Sequence, residues 1–301
     1  MTRASSRFLT AHAADLPDTI PFVGPEALQR VRGSTFRARL GANESGFGPA
    51  PSASAAMRVA VDGNWMYADP ESHELREAIA VFLGTGVGNV VVGEGIDGLL
   101  GLTCALVLAR GDTVVTSDGA YPTFNYHVTG HAGRLVKVAY RDDKEDLAAL
   151  LDAARAENAK VLYVSNPDNP MGSWWSASEI EALVADLPPT TLLLLDEAYC
   201  DTAPAGTLSP IDLANPQVLR YRTFSKAYGM AGARIGYCVG EAGLVAAFDK
   251  VRNHYGINRV GQIGALAALQ DQDYLTHAVG LIARARTRIT RVAADNGLAA
   301  L

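Results

Sequence analysis

The sequence predicts an α/β fold: a mainly parallel, seven-stranded sheet between layers of helices, followed by a smaller and incomplete second domain. Three observations carry that expectation. Short runs such as Val161–Val164 and Leu192–Leu195 are apolar at every position, the pattern of strands buried on both faces. Amphipathic stretches of helical period alternate with them, as in sheets whose parallel strands are joined by crossover helices. The chain has 301 residues, 49% of them hydrophobic, enough for one large core plus a lobe.

Residues 1–40 are only weakly periodic and read as an N-terminal arm; Pro21, Pro25, Pro49 and Pro51 punctuate the region around LGANESGFGP (Leu40–Pro49). Residues 41–245 make up the large domain. Within it HELREAIAVFLG is an amphipathic helix closed by Gly84, VVVG (Val90–Gly93) a strand, and Leu99–Leu108 a helix. DTVVTS and RLVKVAY are the next strands, and DKEDLAALLDAARAEN is a helix whose first-turn acids suit the positive end of its dipole. KVLYVS follows as a strand and SASEIEALVADL as a helix capped by Ser176 or Ser178. TLLLLDEAY, VLRYRTFS and RIGYCVG complete the seven strands. Residues 246–301, the start of the smaller domain, read as helices, among them GQIGALAALQ and LIARARTRITRVAADNG.

A net charge of −6 and a pI near 5.5 provide no basic field for nucleic acid or an anionic membrane. No window approaches the roughly eighteen apolar residues of a membrane span. The first twenty residues lack a signal-peptide core, so a cytoplasmic protein is expected. Cys104, Cys200 and Cys238 are widely spaced and odd in number, which suggests neither a metal site nor a disulfide framework but buried, apolar packing.

In such a sheet, ligands bind beyond the carboxyl ends of the strands, and five junctions there carry unusual chemistry. GEGIDG (Gly93–Gly98) lets the backbone approach a phosphate at the start of a helix. It also fits a dinucleotide fingerprint, with Asp118 twenty residues past Gly98 as the ribose acid. AYPTFNYH offers Phe124, which is either a core residue or a flat ring for stacking on a heteroaromatic ligand. SNPDNPMGS (Ser165–Ser173) is a rigid turn that presents the Asn169 amide, or a purely structural turn. LLLLDEAYC places Asp196 and Glu197 at the end of a deeply apolar strand, where carboxylates require partners. Asp196 can hold a pyridine nitrogen protonated and Tyr199 can reach a ring hydroxyl; a metal-binding acid is the competing idea, but no GxxxxGK[ST] loop accompanies it. RTFSKAYGMAGARIGY surrounds Lys226 with small residues, hydroxyls (Thr223, Ser225) and the Arg234 fork; a lone lysine is ordinarily a solvated surface residue.

In their order and spacing, these segments resemble the class I and II aminotransferases of the pyridoxal 5′-phosphate (PLP) fold type I, most closely the histidinol-phosphate aminotransferase branch. The resemblance runs from about Leu40 to about Arg259. It implies that Lys226 carries PLP as a Schiff base, with Asp196 on the pyridinium nitrogen and Asn169 and Tyr199 on the ring oxygen. It implies a phosphate site built from Arg234, Ser225, Thr223 and the backbone of Gly95, Ile96 and Asp97, and a pyridine ring stacked on Phe124. Tyr67, in YADPESHELR, resembles the tyrosine that reaches the neighbouring subunit's phosphate, which implies a homodimer with shared sites.

The implied activity is amino-group transfer between an amino donor, with histidinol phosphate the first choice, and a 2-oxo acid in amino-acid biosynthesis. A PLP-dependent lyase or decarboxylase would use the same lysine. An NAD-dependent dehydrogenase would account for Gly93–Gly98 and Asp118 but leave Asn169, Asp196, Tyr199, Lys226 and Arg234 without a role. The chain departs from the family pattern at Ser45 and Gly46, where Asn and Pro are usual, and at Ala68, where proline is usual. No residue before Leu301 matches the family's substrate-carboxylate arginine.

Overall fold

The computed structural model describes residues 8–19 and 22–300; the proline expected to punctuate the arm at position 21 lies outside the described residues. All seven expected strands form: β1 (Val90–Gly93), β2 (Thr113–Ser117), β3 (Arg134–Val138), β4 (Val161–Ser165), β5 (Leu192–Asp196), β6 (Val218–Thr223) and β7 (Gly236–Val239). They make one sheet in the order β1-β7-β6-β5-β4-β2-β3. Pairing is parallel from β3 through β6, while β7 runs antiparallel to both β6 and β1. The carboxyl ends of β1, β2, β4, β5 and β6 and the amino end of β7 therefore share one edge.

In the inner strands residues alternate between two covered faces, which is why runs such as Val161–Val164 and Leu192–Leu195 are apolar throughout, while the edge strand β3 keeps Arg134 and Lys137 exposed. Val90, Val92, Tyr237 and Val239 pack on one side with α3 (Pro51–Val61), α4 (His73–Leu83) and α10 (Arg259–Gln270). Val91, Val114, Leu194 and Leu219 pack with α5 (Gly95–Val107) and α6 (Pro122–Gly130). Leu162, Val164, Leu193 and Leu195 pack with α7 (Leu147–Ala156) and α8 (Ala177–Ala185). Each such aliphatic side chain contributes about 1.5–3 kcal/mol by leaving water. Ser176, not Ser178, caps α8, through a reciprocal pair with Glu179. The helix α6 was not announced by periodicity: it is nine residues long and buries only Phe124 and Val128. The three cysteines are free and buried, as expected.

The arm contains two short helices, α1 (Ala11–Asp15) and α2 (Pro25–Arg32), and docks on α6 through His12 Nε2 with the Thr129 carbonyl (2.7 Å) and Thr19 with the Tyr126 hydroxyl (2.6 Å). Beyond α9 (Ala242–Ala246), packing continues past residue 245: Ala265, Ala268 and Leu269 of α10 share a core with Ala53, Ile79 and Tyr237. The following helix, α11 (Gln272–Asp295), buries only Ala278. Among the described residues, no helix is long and apolar enough to cross a membrane.

The loop after β6 is locked at Gly229 against the loop that precedes α3. Its φ is +68°, and a Cβ there would lie 2.2 Å from the Gly48 carbonyl oxygen. Gly229→Ala combines a left-handed backbone, costing about 1–2 kcal/mol, with overpacking worth about 1–3 kcal/mol. A loss of about 3 kcal/mol in denaturant unfolding is expected; a stability change below about 1 kcal/mol would mean that this contact opens without cost.

Candidate active site

The edge of the sheet assembles the site. In the strand register Gly93 pairs with Gly236, Gly236 with Thr223, and Asp196 with both Ser165 and Tyr221. The chain leaves β1 through Gly93–Glu94 and turns directly into α5, with Gly95 at φ +75°. The first N–H groups of that helix have no partner within it and sit at the positive end of its dipole. The Arg234 guanidinium lies over this turn: its Nη2 reaches the Glu94 carbonyl at 3.5 Å, and a Cβ on Gly95 would come within 2.6 Å of it. Thr223 and Ser225 are buried beside it, with the Ser225 N–H donating to Thr223 Oγ1 (3.0 Å). Backbone N–H groups, two hydroxyls and a guanidinium thus converge on a pocket that only glycine leaves open, a chemistry that suits a phosphate dianion. The Asp97 side chain at this helix start is engaged by His127 Nε2 at 3.1 Å.

Asp196 closes β5 and is 4% exposed. Its Oδ2 accepts from the Tyr163 hydroxyl (2.7 Å) and its Oδ1 from the Ala198 N–H (2.9 Å), but it has no ion-pair partner among the described residues. Burial pushes its carboxyl up to about 6. The neighbouring acid is treated differently: Glu197 takes both cations, Arg220 on one oxygen and Arg222 Nε on the other (2.8 Å). Those guanidiniums overcome its burial and hold it below the usual carboxylate range. The cation expected for this acidic pair therefore reaches Glu197 only. Asp196 is left as a buried acid with no ion-pair partner among the described residues, which suits a ligand that brings its own protonated ring nitrogen.

Lys226 follows β6 by three residues and is half-buried, its Nζ 3.4 Å from the Asn43 carbonyl and 5.4 Å from the Tyr199 ring centre. Burial lowers its pKa, Asp196 pulls it back up, and Arg234 pushes it down again. The same charges thus act on one amine from two ends of the site, bringing Asp196, Lys226 and Arg234 into one electrostatic neighbourhood. The Tyr199 hydroxyl accepts from Asn43 Nδ2 at 3.0 Å, and Asn169 is half-buried at the tip of its turn.

Phe124, expected to stack on the ligand ring, sits in the layer next to Asp196. It is fully buried and lies on Tyr163, ring centres 4.4 Å apart and planes within 19°. In this structure it has no exposed face; it backs the tyrosine that holds Asp196. The half-buried aromatic at the junction is Tyr121, whose hydroxyl feels Asp97, Asp196 and Arg234. The dinucleotide alternative loses its acid, because Asp118 is exposed and pairs with Lys137 (3.4 Å). Tyr67 does not join this cluster: it is 79% exposed, with its ring against Tyr255 at 4.7 Å. Tyr163 and Asn43 are site residues that sequence reasoning missed. A phenol in the middle of an aliphatic strand was the available signal for Tyr163, and nothing distinguished Asn43 from its loop.

The family model described as aminotransferase class I and II matches residues 38–299. A histidinol-phosphate aminotransferase of Mesorhizobium japonicum is 34% identical over 303 residues, covering 99% of this chain and 82% of that protein. The crystal structure of a histidinol-phosphate aminotransferase from Sinorhizobium meliloti, in complex with pyridoxal-5′-phosphate, is 57% identical and superimposes with a TM-score of 0.94 over 97% of this chain and 79% of that one. The Thermus thermophilus aspartate aminotransferase with maleate aligns at a TM-score of 0.73 and 26% identity, covering 82% of this chain and 68% of that one. With its sheet order, its phosphate-shaped turn and its lysine facing a buried acid, the chain belongs to the class I and II aminotransferases.

Proposed function

We propose that this aminotransferase holds pyridoxal 5′-phosphate on Lys226 and moves the amino group of histidinol phosphate to a 2-oxo acid. The observation that carries the reading is the buried Asp196 carboxyl, without a cation of its own, set in the same cleft as a half-buried lysine. The relatives named above support the choice of cofactor and donor. When bound, the cofactor supplies an electron sink for a carbanion at the substrate's α carbon. Asp196 holds the proton on the ring nitrogen, and the Tyr163 hydroxyl keeps the carboxylate aimed. The Asn169 amide and the Tyr199 hydroxyl donate to the ring oxygen. The turn at Gly95, Ile96 and Asp97, with Thr223, Ser225 and Arg234, holds the phosphate and fixes the ring's distance from Lys226 Nζ. Lys226 Nζ would take the proton from the substrate's α carbon, and burial, which makes the amine less basic, favours the neutral form this requires.

Two copies complete the sites on this reading, with Tyr67 donating to the partner's phosphate; its exposure, and that of Trp65 at 82%, suit a surface covered by a second copy. On the same reading residues 41–245 are the large, cofactor-carrying domain, and α10, beyond it, docks on its core. The enzyme is placed in the cytoplasm.

Borohydride reduction followed by peptide mass spectrometry tests the site: the adduct is expected on Lys226, and label on another lysine rejects the assignment. Turnover with histidinol phosphate and 2-oxoglutarate, compared with a panel of amino acids, tests the donor. Arg234→Ala should weaken cofactor binding by about 10- to 100-fold, since a hydrogen bond to a charged group is worth about 1.5–3 kcal/mol. Equilibrium dialysis measures it, and unchanged affinity would place the phosphate elsewhere.

A further inference from the structure

Two buried acids beside the site have no part in the chemistry above. Glu145, just before α7, is 1% exposed and bridges two strand ends: Ser117 Oγ of β2 donates to Oε1 and the Ser165 N–H of β4 donates to Oε2, both at 3.1 Å. Asp168 is 4% exposed. Its Oδ2 accepts from the Tyr140 hydroxyl (3.0 Å) and the Met171 N–H (3.3 Å), while its buried Oδ1 has no hydrogen-bond partner. Lys144, one residue before Glu145, turns to the Trp174 carbonyl (3.3 Å) and the Trp175 ring (4.9 Å) instead.

We infer that Glu145 and Asp168 are positioning residues for Asn169, clamping the turn on either side of it so that its amide stays aimed at the cofactor's ring oxygen. This rests on the role given to Asn169 above. Glu145 ties the first residue of the turn, Ser165, to the end of β2. Asp168 ties Met171, two residues beyond Asn169, to Tyr140 after β3. Between these anchors Asn169 has little backbone freedom left.

Burial works against charge on both members of the clamp. Burial and the repulsion of Asp168 push Glu145 well up, and burial raises Asp168. The ionisable groups acting around the pair include Tyr140, Tyr163, Tyr199, Asp118 and Asp196, all neutral or anionic, beside the cation Lys144. Charge on both acids would set like charges together, while the adjacent cation, Lys144, is engaged at Trp174 and Trp175 instead.

The test compares Glu145→Leu and Asp168→Ala with the isosteres Glu145→Gln and Asp168→Asn, which preserve shape and can still hydrogen-bond when uncharged. In cofactor-free protein, amide exchange at residues 169, 171 and 172 should quicken by about tenfold or more in the first two, roughly one pH unit's worth of free energy, and stay near the parent's in the isosteres. In holoprotein, the pH midpoint of the cofactor's visible band should rise by about half a unit in Asp168→Ala. The amide donates to an oxygen that gains charge on deprotonation, so a misaimed amide disfavours that form. Asn169→Ala sets the scale. A parent with no such band rejects the cofactor reading. A normal parent band, with exchange and midpoint unmoved in Asp168→Ala and Glu145→Leu, overturns the clamp alone.

Discussion

Lys226→Ala is expected to lower the transamination rate by about 10⁴-fold or more, because one side chain serves as both covalent anchor and proton carrier. The amine is half-buried, and burial and Arg234 both make it less basic than a free lysine while Asp196 opposes them. Removing it leaves the phosphate cradle at Gly95 and Arg234 intact, so cofactor should still bind, without a borohydride-stable link. Lys226→Arg separates charge from chemistry. Arginine restores the cation but stays protonated and cannot act as nucleophile or base, so it should be as inactive as alanine. Added small primary amines should recover part of the rate in Lys226→Ala, supplying the missing base from solution. A Lys226→Ala enzyme retaining a tenth of the parent's kcat would remove this lysine from the mechanism.

The fold was legible because its strands are buried on both faces: runs such as Leu192–Leu195 have one reading once helices alternate with them. Lys226, Asp196 and Arg234 were legible for a related reason, since charged groups at the ends of apolar strands are costly unless a ligand or partner meets them. What sequence could not convey was which partner each acid finds. Asp196 and Glu197 are adjacent, yet the pleat sends one into the cleft with Tyr163 and the other to Arg220 and Arg222. Phe124 shows the complementary ambiguity. An aromatic near a strand end can face the ligand or the layer beneath it, and only the packing of α6 on β4 places it against Tyr163.

Asp196→Asn is expected to separate stability from activity. In the protein without cofactor, burial raises the Asp196 carboxyl from 3.8 to about 6. Between those values the folded state holds the proton more tightly than the unfolded chain, so this group's contribution to stability falls as pH rises through the window and reaches its lowest level above about 6. Two pH units correspond to about 3 kcal/mol. The uncharged amide avoids that cost, and cofactor-free Asp196→Asn should be the more stable protein at pH 7–8 by up to that amount, in denaturant unfolding at several pH values. Function should move the other way. A protonated ring nitrogen supplies the cation that Asp196 lacks, and deleting one member of a buried pair costs about 3–5 kcal/mol, or roughly 10²- to 10³-fold in kcat/KM at least. The Tyr163 hydroxyl can still donate to the amide oxygen, so the geometry survives and only the charge is lost. An Asp196→Asn enzyme that turns over within tenfold of the parent would show that the ring nitrogen needs no anion, and the buried acid would then have no explanation in the chemistry.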